Sequence, residues 1–137
     1  MRKYRLTPVE KAIAKAKWRA STLMAHLKAL DSNDWQTTVE HVAHLTFLIG
    51  VAAGVDKVPR TNTDLRIIAG TANTLLEVAA YERLTDLQRG SMSAGLLAIE
   101  RLHPSLSDHA MTTAELTFRA LMGKGGVYGH HFQEVFK

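Results

Sequence analysis

Seven histidines are the residues of this sequence best suited to bind a metal ion. His41 and His44 are three residues apart, so in a helix both imidazoles would lie on one face. His26 could approach them from a neighbouring helix, and three imidazoles are a ligand set that zinc accepts in proteins. The HExxH arrangement is absent, however, and no carboxylate-rich motif accompanies these histidines. We therefore predict structural histidines and no bound metal, with His26, His41 and His44 as the candidate ligands.

Other catalytic motifs are absent or incomplete. Glu100 and His103 form one ExxH, whereas a di-iron helical bundle needs two, with glutamates on two further helices. GKGG at 123–126 lacks the spacing of a phosphate-binding loop and follows a predicted helix. No GxSxG, kinase or dinucleotide motif is present, and the absence of cysteine excludes thiolate chemistry. The sequence predicts a protein that is not an enzyme and uses no cofactor.

The positive charge is concentrated at the N-terminus. Residues 1–28 contain eight of the 17 basic residues and a single acidic one, Glu10, whereas the rest of the chain has nine basic and 12 acidic residues. The eight are Arg2, Lys3, Arg5, Lys11, Lys15, Lys17, Arg19 and Lys28. Such a segment suits an acidic partner surface or a nucleic acid.

Trp18 lies within this basic segment, on a predicted N-terminal helix. At about 100° per residue it falls opposite the apolar side of that helix, close to Lys11 and Lys15. It either makes a second buried contact within the domain or is an exposed anchor for a partner. On the second interpretation the partner-binding residues are Trp18, Lys11, Lys15, Arg19, Arg2, Lys3 and Arg5.

The N-terminal helix is predicted from its first turn onward. Thr7-Pro8-Val9-Glu10 is a capping box with proline at the first helical position. An apolar seam with spacings of three and four follows it: Val9, Ile13, Ala16, Ala20, Leu23, Leu27 and Leu30. The polar turn at 31–34 is short, which favours an antiparallel hairpin with the next helix. That helix, 35–55, is apolar nearly all round in its second half, so we expect it to be central.

The rest of the chain predicts an all-α, compact bundle of four to five helices. Caps at 61–63 open a helix with the seam Leu65, Ile68, Ala72, Leu75 and Ala79. The next helix begins at Thr85 or at Ser91 and runs to Pro104. A capping box at 112–115 opens the last helix, which ends at Gly123. The tails are a basic segment, 1–6, and a glycine-rich segment, 123–137, which is mobile or docks as a short arm.

Length and composition indicate one domain, 1–137, in the cytoplasm. A chain of 137 residues with 46% hydrophobic and 22% charged residues is ordinary for a soluble protein. The apolar run from Leu45 to Val55 is well short of the roughly 20 residues that span a bilayer. The N-terminus has no apolar leader segment, so we expect no membrane association.

Three stretches carry a family resemblance. They are AHLKALDSNDWQTTVEHVAHL, DLRIIAGTANTLLEVAAYER and GLLAIERLHPSLSDHAMTTAELTFRALM. From about Leu23 to Met122 the chain resembles uncharacterised small all-helical accessory proteins of proteobacterial phages and other mobile elements. Pro104 departs from that pattern, because it interrupts a helix that is more continuous in the group. The resemblance implies a protein that binds a host component, and it implies no activity.

Together these observations predict a non-enzymatic protein-binding module, an inhibitor or adaptor acting on a host protein with an acidic surface. We also expect a homodimer, paired through the N-terminal helix or through the apolar flank of helix 35–55. The alternative is a nucleic-acid-binding protein that uses its basic N-terminal helix. Against it, no helix-turn-helix is evident, because the 31–34 turn suits an antiparallel hairpin better than crossed helices.

Overall fold

The computed structural model describes residues 7–9, 17–18, 35–78 and 84–137. Every regular element in these ranges is helical, which confirms the all-α prediction. Five α-helices are described: α1 (Trp35–Val55), α2 (Thr63–Val78), α3 (Asp86–Leu102), α4 (Asp108–Gly123) and α5 (Gly129–Val135). A 3-10 turn, His103–Ser105, follows α3. The predicted hairpin between the N-terminal helix and α1, and the tail 1–6, lie outside the described residues.

α1 is the central helix, as its composition predicts. It contacts α2, α3, α4 and α5. Seven of its apolar side chains are at most 2% exposed: Val42, Leu45, Phe47, Leu48, Ile49, Ala52 and Ala53. Phe47 packs in a second cluster with Ala72 and Phe132, and the others belong to the main core. Burial of this apolar surface is the main stabilising contribution to the fold. None of the described helices combines the length and apolar character needed to cross a membrane.

α2 and α3 pack closely because a glycine on one helix faces a threonine on the other. A β-carbon at Gly95 would lie 2.8 Å from Cβ of Thr71 and would collide with the threonine hydroxyl. That buried hydroxyl donates to the carbonyl of Ser91, 2.9 Å away, and lies 3.2 Å from the carbonyl of Ile67. The two helices therefore interlock through Thr71 and Gly95.

Local capping interactions determine where α2 and α3 begin. The side chain of Asn62 accepts a hydrogen bond from the backbone N–H of Leu65 at 3.0 Å, as a helix cap does. Thr85 and Gln88 form a capping box, in which each side chain accepts a bond from the other's N–H, at 3.1 and 2.9 Å. α3 thus begins after Thr85, the earlier of the two predicted starts. Ala79, the last residue of the predicted α2 seam, lies outside the described residues.

The predicted start of α4 at the 112–115 capping box was wrong. α4 begins at Asp108, with Ser107 as its N-cap. The Asp56 carboxylate accepts bonds from both the N–H and the hydroxyl of Ser107 at 2.7 Å, and the same hydroxyl accepts the N–H of Ala110. Thr113 instead lies inside the helix, where its hydroxyl donates to the carbonyl of His109. A contact from the loop after α1 thus fixes the start of α4.

The C-terminal segment docks, which is one of the two predicted alternatives. Gly125 and Gly126 have φ of 112° and 125°, and they turn the chain after α4 ends at the predicted Gly123. Phe132 of α5 is 9% exposed and packs edge-on against Phe47 of α1, with ring centroids 5.6 Å apart. A β-carbon at Gly50 would lie 2.5 Å from Cγ1 of Val135, so the glycine makes room for this arm.

Candidate partner-binding surface

Trp18 is held against the end of α3. Its indole stacks on the imidazole of His103, with ring centroids 4.5 Å apart and an interplanar angle of 10°. The side chain is half-buried and packs against the main hydrophobic core. Trp18 therefore makes the contact within the domain that the first interpretation predicts, although it is not fully buried, and its role as an anchor for a partner stays a prediction.

The other predicted partner-binding residues cannot be placed beside it. They are Lys11, Lys15, Arg19, Arg2, Lys3 and Arg5, and all six lie outside the described residues. Lys17, next to Trp18, is helical and exposed. The described part of the surface therefore consists of Trp18, its stacking partner His103 and the neighbouring cation Lys17.

His103 lies at the point where the chain changes from an α-helix to a 3-10 turn. α3 ends at Leu102, and His103 begins the 3-10 turn, in which the missing N–H of Pro104 is tolerated. The N–H of His103 still bonds to the carbonyl of Ile99. The ExxH that ends here, Glu100 to His103, thus contributes an exposed glutamate and an imidazole that stacks on Trp18.

His44 occupies an aromatic environment between α1 and α4. Its ring stacks on Phe118 with centroids 4.1 Å apart, and Phe118 also contacts Phe47. Its Nε2 is buried and has no hydrogen-bond partner among the described residues. Burial lowers the pKa of His44 below its ordinary value of 6.5, and the Glu115 carboxylate opposes part of that effect. The neutral imidazole is therefore the form that the folded protein favours.

The predicted metal ligands His26, His41 and His44 cannot be assembled into a metal site from the described residues. His41 and His44 are both half-buried on α1, and His26 lies outside the described residues. Among the described residues, no group of three or more potential ligands is close enough to hold a metal ion. His130 is exposed, and His131 accepts the N–H of Tyr128 through Nδ1 at 2.8 Å.

α3 exposes an apolar strip on its outward face. Leu87 and Leu97 are 85% and 46% exposed, although both are large hydrophobic residues. Gly90 and Ala94 lie between them and are exposed as well. We call Leu87, Gly90, Ala94 and Leu97 the α3 seam. Its spacing of three, four and three residues places all four on one side of the helix.

A shallow cleft of about 450 Å³ opens beside this seam, between α2 and α3. Its lining includes the carboxylates of Glu77 and Asp86 and the hydroxyls of Thr74 and Ser91, which lie 2.9 Å apart. Asp86 also forms an ion pair with Arg89 at 2.8 Å. These groups give the cleft hydrogen-bonding capacity without an arrangement of nucleophile and base, so we assign no reaction to it.

Sequence reasoning missed two of these features. The stacking of Trp18 on His103 joins residues 85 positions apart, and no local pattern indicates it. The α3 seam has a sequence signal, since Leu87, Gly90, Ala94 and Leu97 are spaced by three, four and three residues.

Comparison with known proteins yields similarity over part of the chain. Tryptophan synthase beta chains from strains of Xylella fastidiosa, Temecula1 among them, are 35% identical to this chain over 75 residues. That stretch is 55% of this chain and 18% of each relative, so the chain spans less than a fifth of the length of these curated relatives. No family model matches the chain, and no solved structure matches it.

Proposed function

We propose that this chain is a non-enzymatic protein-binding module of a phage or other mobile element. In this proposal the basic N-terminal segment and Trp18 bind an acidic surface of a host protein, so that the chain acts as an inhibitor or adaptor. The observation that carries the proposal is the position of Trp18. This residue belongs to a strongly basic segment, is half-buried, and stacks on His103.

The stacking supports a role for Trp18 as an anchor. Tryptophan is among the residues that contribute most to protein interfaces. A side chain that is already held in place loses less conformational entropy when a partner binds. His103 covers one face of the indole and restricts its rotation, while the half-buried ring retains exposed area for a partner.

The charge distribution supports an acidic partner. Eight basic residues and one acidic residue in positions 1–28 contrast with nine basic and 12 acidic residues elsewhere. A segment of one sign steers a partner of opposite sign and increases the association rate. Because net charge is segregated along the chain, the binding surface and the rest of the protein should respond differently to charge reversal.

Affinity purification from the organism that carries the gene tests the proposal. The chain is compared with Lys11→Glu/Lys15→Glu and with Lys124→Glu/Lys137→Glu, which changes the net charge equally at exposed C-terminal positions. We expect one stoichiometric host protein with the chain and with the C-terminal variant, and its loss with the N-terminal variant. Equal recovery by all three would overturn the assigned surface.

The same basic segment supports nucleic-acid binding as the second candidate. Nuclease treatment of the lysate and titration of duplex and single-stranded probes distinguish the two functions. Binding through phosphates weakens steeply as salt concentration rises, because counterions are released on association. Recovery of nuclease-sensitive material alone, with a steep salt dependence in the titration, would replace the protein-binding proposal.

A further inference from the structure

The α3 seam is an apolar surface that stays exposed among the described residues, 7–9, 17–18, 35–78 and 84–137. Leu87 is 85% exposed and Leu97 is 46% exposed. Exposed leucines are common singly, but here two flank a pair of small exposed residues on the same side of one helix. The apolar flank of α1, which we predicted as one of two possible dimer surfaces, is by contrast largely buried inside the chain between Val42 and Ala53.

The order of residues along the seam makes it self-complementary under a two-fold rotation. Leu87 and Leu97 are equally distant in sequence from position 92, and so are Gly90 and Ala94. If two α3 helices pack antiparallel with position 92 at the centre, each Leu87 meets the partner's Leu97. Each Gly90 then meets the partner's Ala94, where the absent and short side chains permit close approach of the helices.

We propose that a second copy of this chain packs on the α3 seam, antiparallel and related by a two-fold axis that passes between Gly90 and Ala94. The surface lies on α3 and uses none of the proposed N-terminal binding residues, so the two proposals are independent. A two-fold interface uses the same patch on both copies, which fits a patch that complements itself.

Charge at the two ends of α3 favours the antiparallel pairing. Asp86 lies in the first turn, with a 99% exposed side chain, and Arg101 lies in the last turn, with 53% exposure. Antiparallel packing brings the first turn of one helix close to the last turn of the other, so Asp86 approaches the partner's Arg101. Arg101 donates from Nε to Asp64, and its guanidinium has further donors for a second carboxylate.

A parallel pair would instead bring Asp86 close to the partner's Asp86 and Arg101 close to the partner's Arg101. The four seam residues themselves carry no charge, so leucine and alanine contacts are not opposed by desolvation of ions. The seam is short, covering three turns of one helix. Since small interfaces are typical of weak complexes, we expect a dimer that forms only at high protein concentration and not a permanent one.

Cysteine cross-linking tests both the partner and the register, because the native chain contains no cysteine. One chain carries Gly90→Cys and another, with a tag that changes its mass, carries Ala94→Cys. After mixing and mild oxidation we expect the mixed disulfide to exceed either homodimer. Predominant Gly90→Cys homodimers would indicate a parallel pair and overturn the proposed register.

Sedimentation equilibrium with surface variants tests the dimer itself. Leu87→Glu/Leu97→Glu should remain folded by circular dichroism and become monomeric, since both side chains are already exposed. Leu116→Glu is the matched control, because Leu116 is 56% exposed on α4, away from the seam, and it should dimerise as the native chain does. A native chain that stays monomeric up to about 1 mM, where even weak complexes assemble, would overturn the proposal.

Discussion

Replacing Gly95 with alanine tests the close approach of α2 and α3. The added methyl group would lie 2.8 Å from both Cβ and Cγ2 of Thr71 and would overlap its hydroxyl. Thr71 is 1% exposed and belongs to a β-branched residue type with restricted rotation, so it has little room to move. Whether the helices separate or the threonine side chain turns away, the hydrogen bond from Thr71 to Ser91 is lost as well.

The expected change in the free energy of unfolding combines one stabilising and two destabilising contributions. Alanine is favoured over glycine within a helix by about 1 kcal/mol. Overpacking of a well-packed contact costs about 1–3 kcal/mol. Loss of the hydrogen bond between Thr71 and Ser91 adds about 1 kcal/mol. We therefore expect Gly95→Ala to reduce the free energy of unfolding by about 1–3 kcal/mol, despite its better helix propensity.

Urea denaturation followed by circular dichroism measures this free energy. Gly70→Ala is the control, because Gly70 is exposed in the middle of α2 and its β-carbon would meet no atom within 4 Å. That variant should gain up to about 1 kcal/mol. A double-mutant cycle with Thr71→Ala should show coupling to Gly95→Ala. Equal stabilisation by both glycine substitutions would refute the close contact between α2 and α3.

Three further outcomes follow from the described contacts. Because burial lowers the pKa of His44, the free energy of unfolding should decrease as pH falls below about 6.5, where the unfolded chain takes up a proton more readily than the folded chain. His44→Phe should therefore make the free energy of unfolding, measured by urea denaturation, less dependent on pH. An unchanged pH profile would contradict this. Trp18→Ala should lower the free energy of unfolding by about 2 kcal/mol, which is less than the loss expected for a fully buried tryptophan, because the ring is half-buried. Thermal unfolding checks this, and a loss near zero would mean that stacking on His103 adds no stability. Gly50→Ala should release α5 through collision with Val135, so proteolysis between α4 and α5 should accelerate, whereas Gly54→Ala, with no atom within 4 Å, should leave the rate unchanged.

Local signals in the sequence were sufficient for the helices whose ends depend on neighbouring residues. The pair Thr85 and Gln88 closes a capping box within four residues, so its sequence pattern predicts the start of α3. The seam Ile68, Ala72 and Leu75 is buried as its spacing predicts. In both cases the interaction that determines the structure lies within one or two helical turns.

Long-range contacts explain what the sequence did not reveal. The start of α4 depends on Asp56, which binds Ser107 from 51 residues away. Gly95 disfavours a helix by intrinsic propensity, yet it is required where Thr71 of α2 approaches α3. Most of the predicted binding residues lie outside the described residues, so that surface stays a prediction from charge and composition.

Isothermal titration calorimetry with the captured host protein tests the central claim most directly. The chain, Lys11→Glu/Lys15→Glu and Lys124→Glu/Lys137→Glu are titrated at two salt concentrations. We expect the chain and the C-terminal variant to bind alike, and the N-terminal variant to bind at least about tenfold more weakly, with less dependence on salt. Equal affinity of the N-terminal variant would contradict a binding surface formed by the basic segment and Trp18.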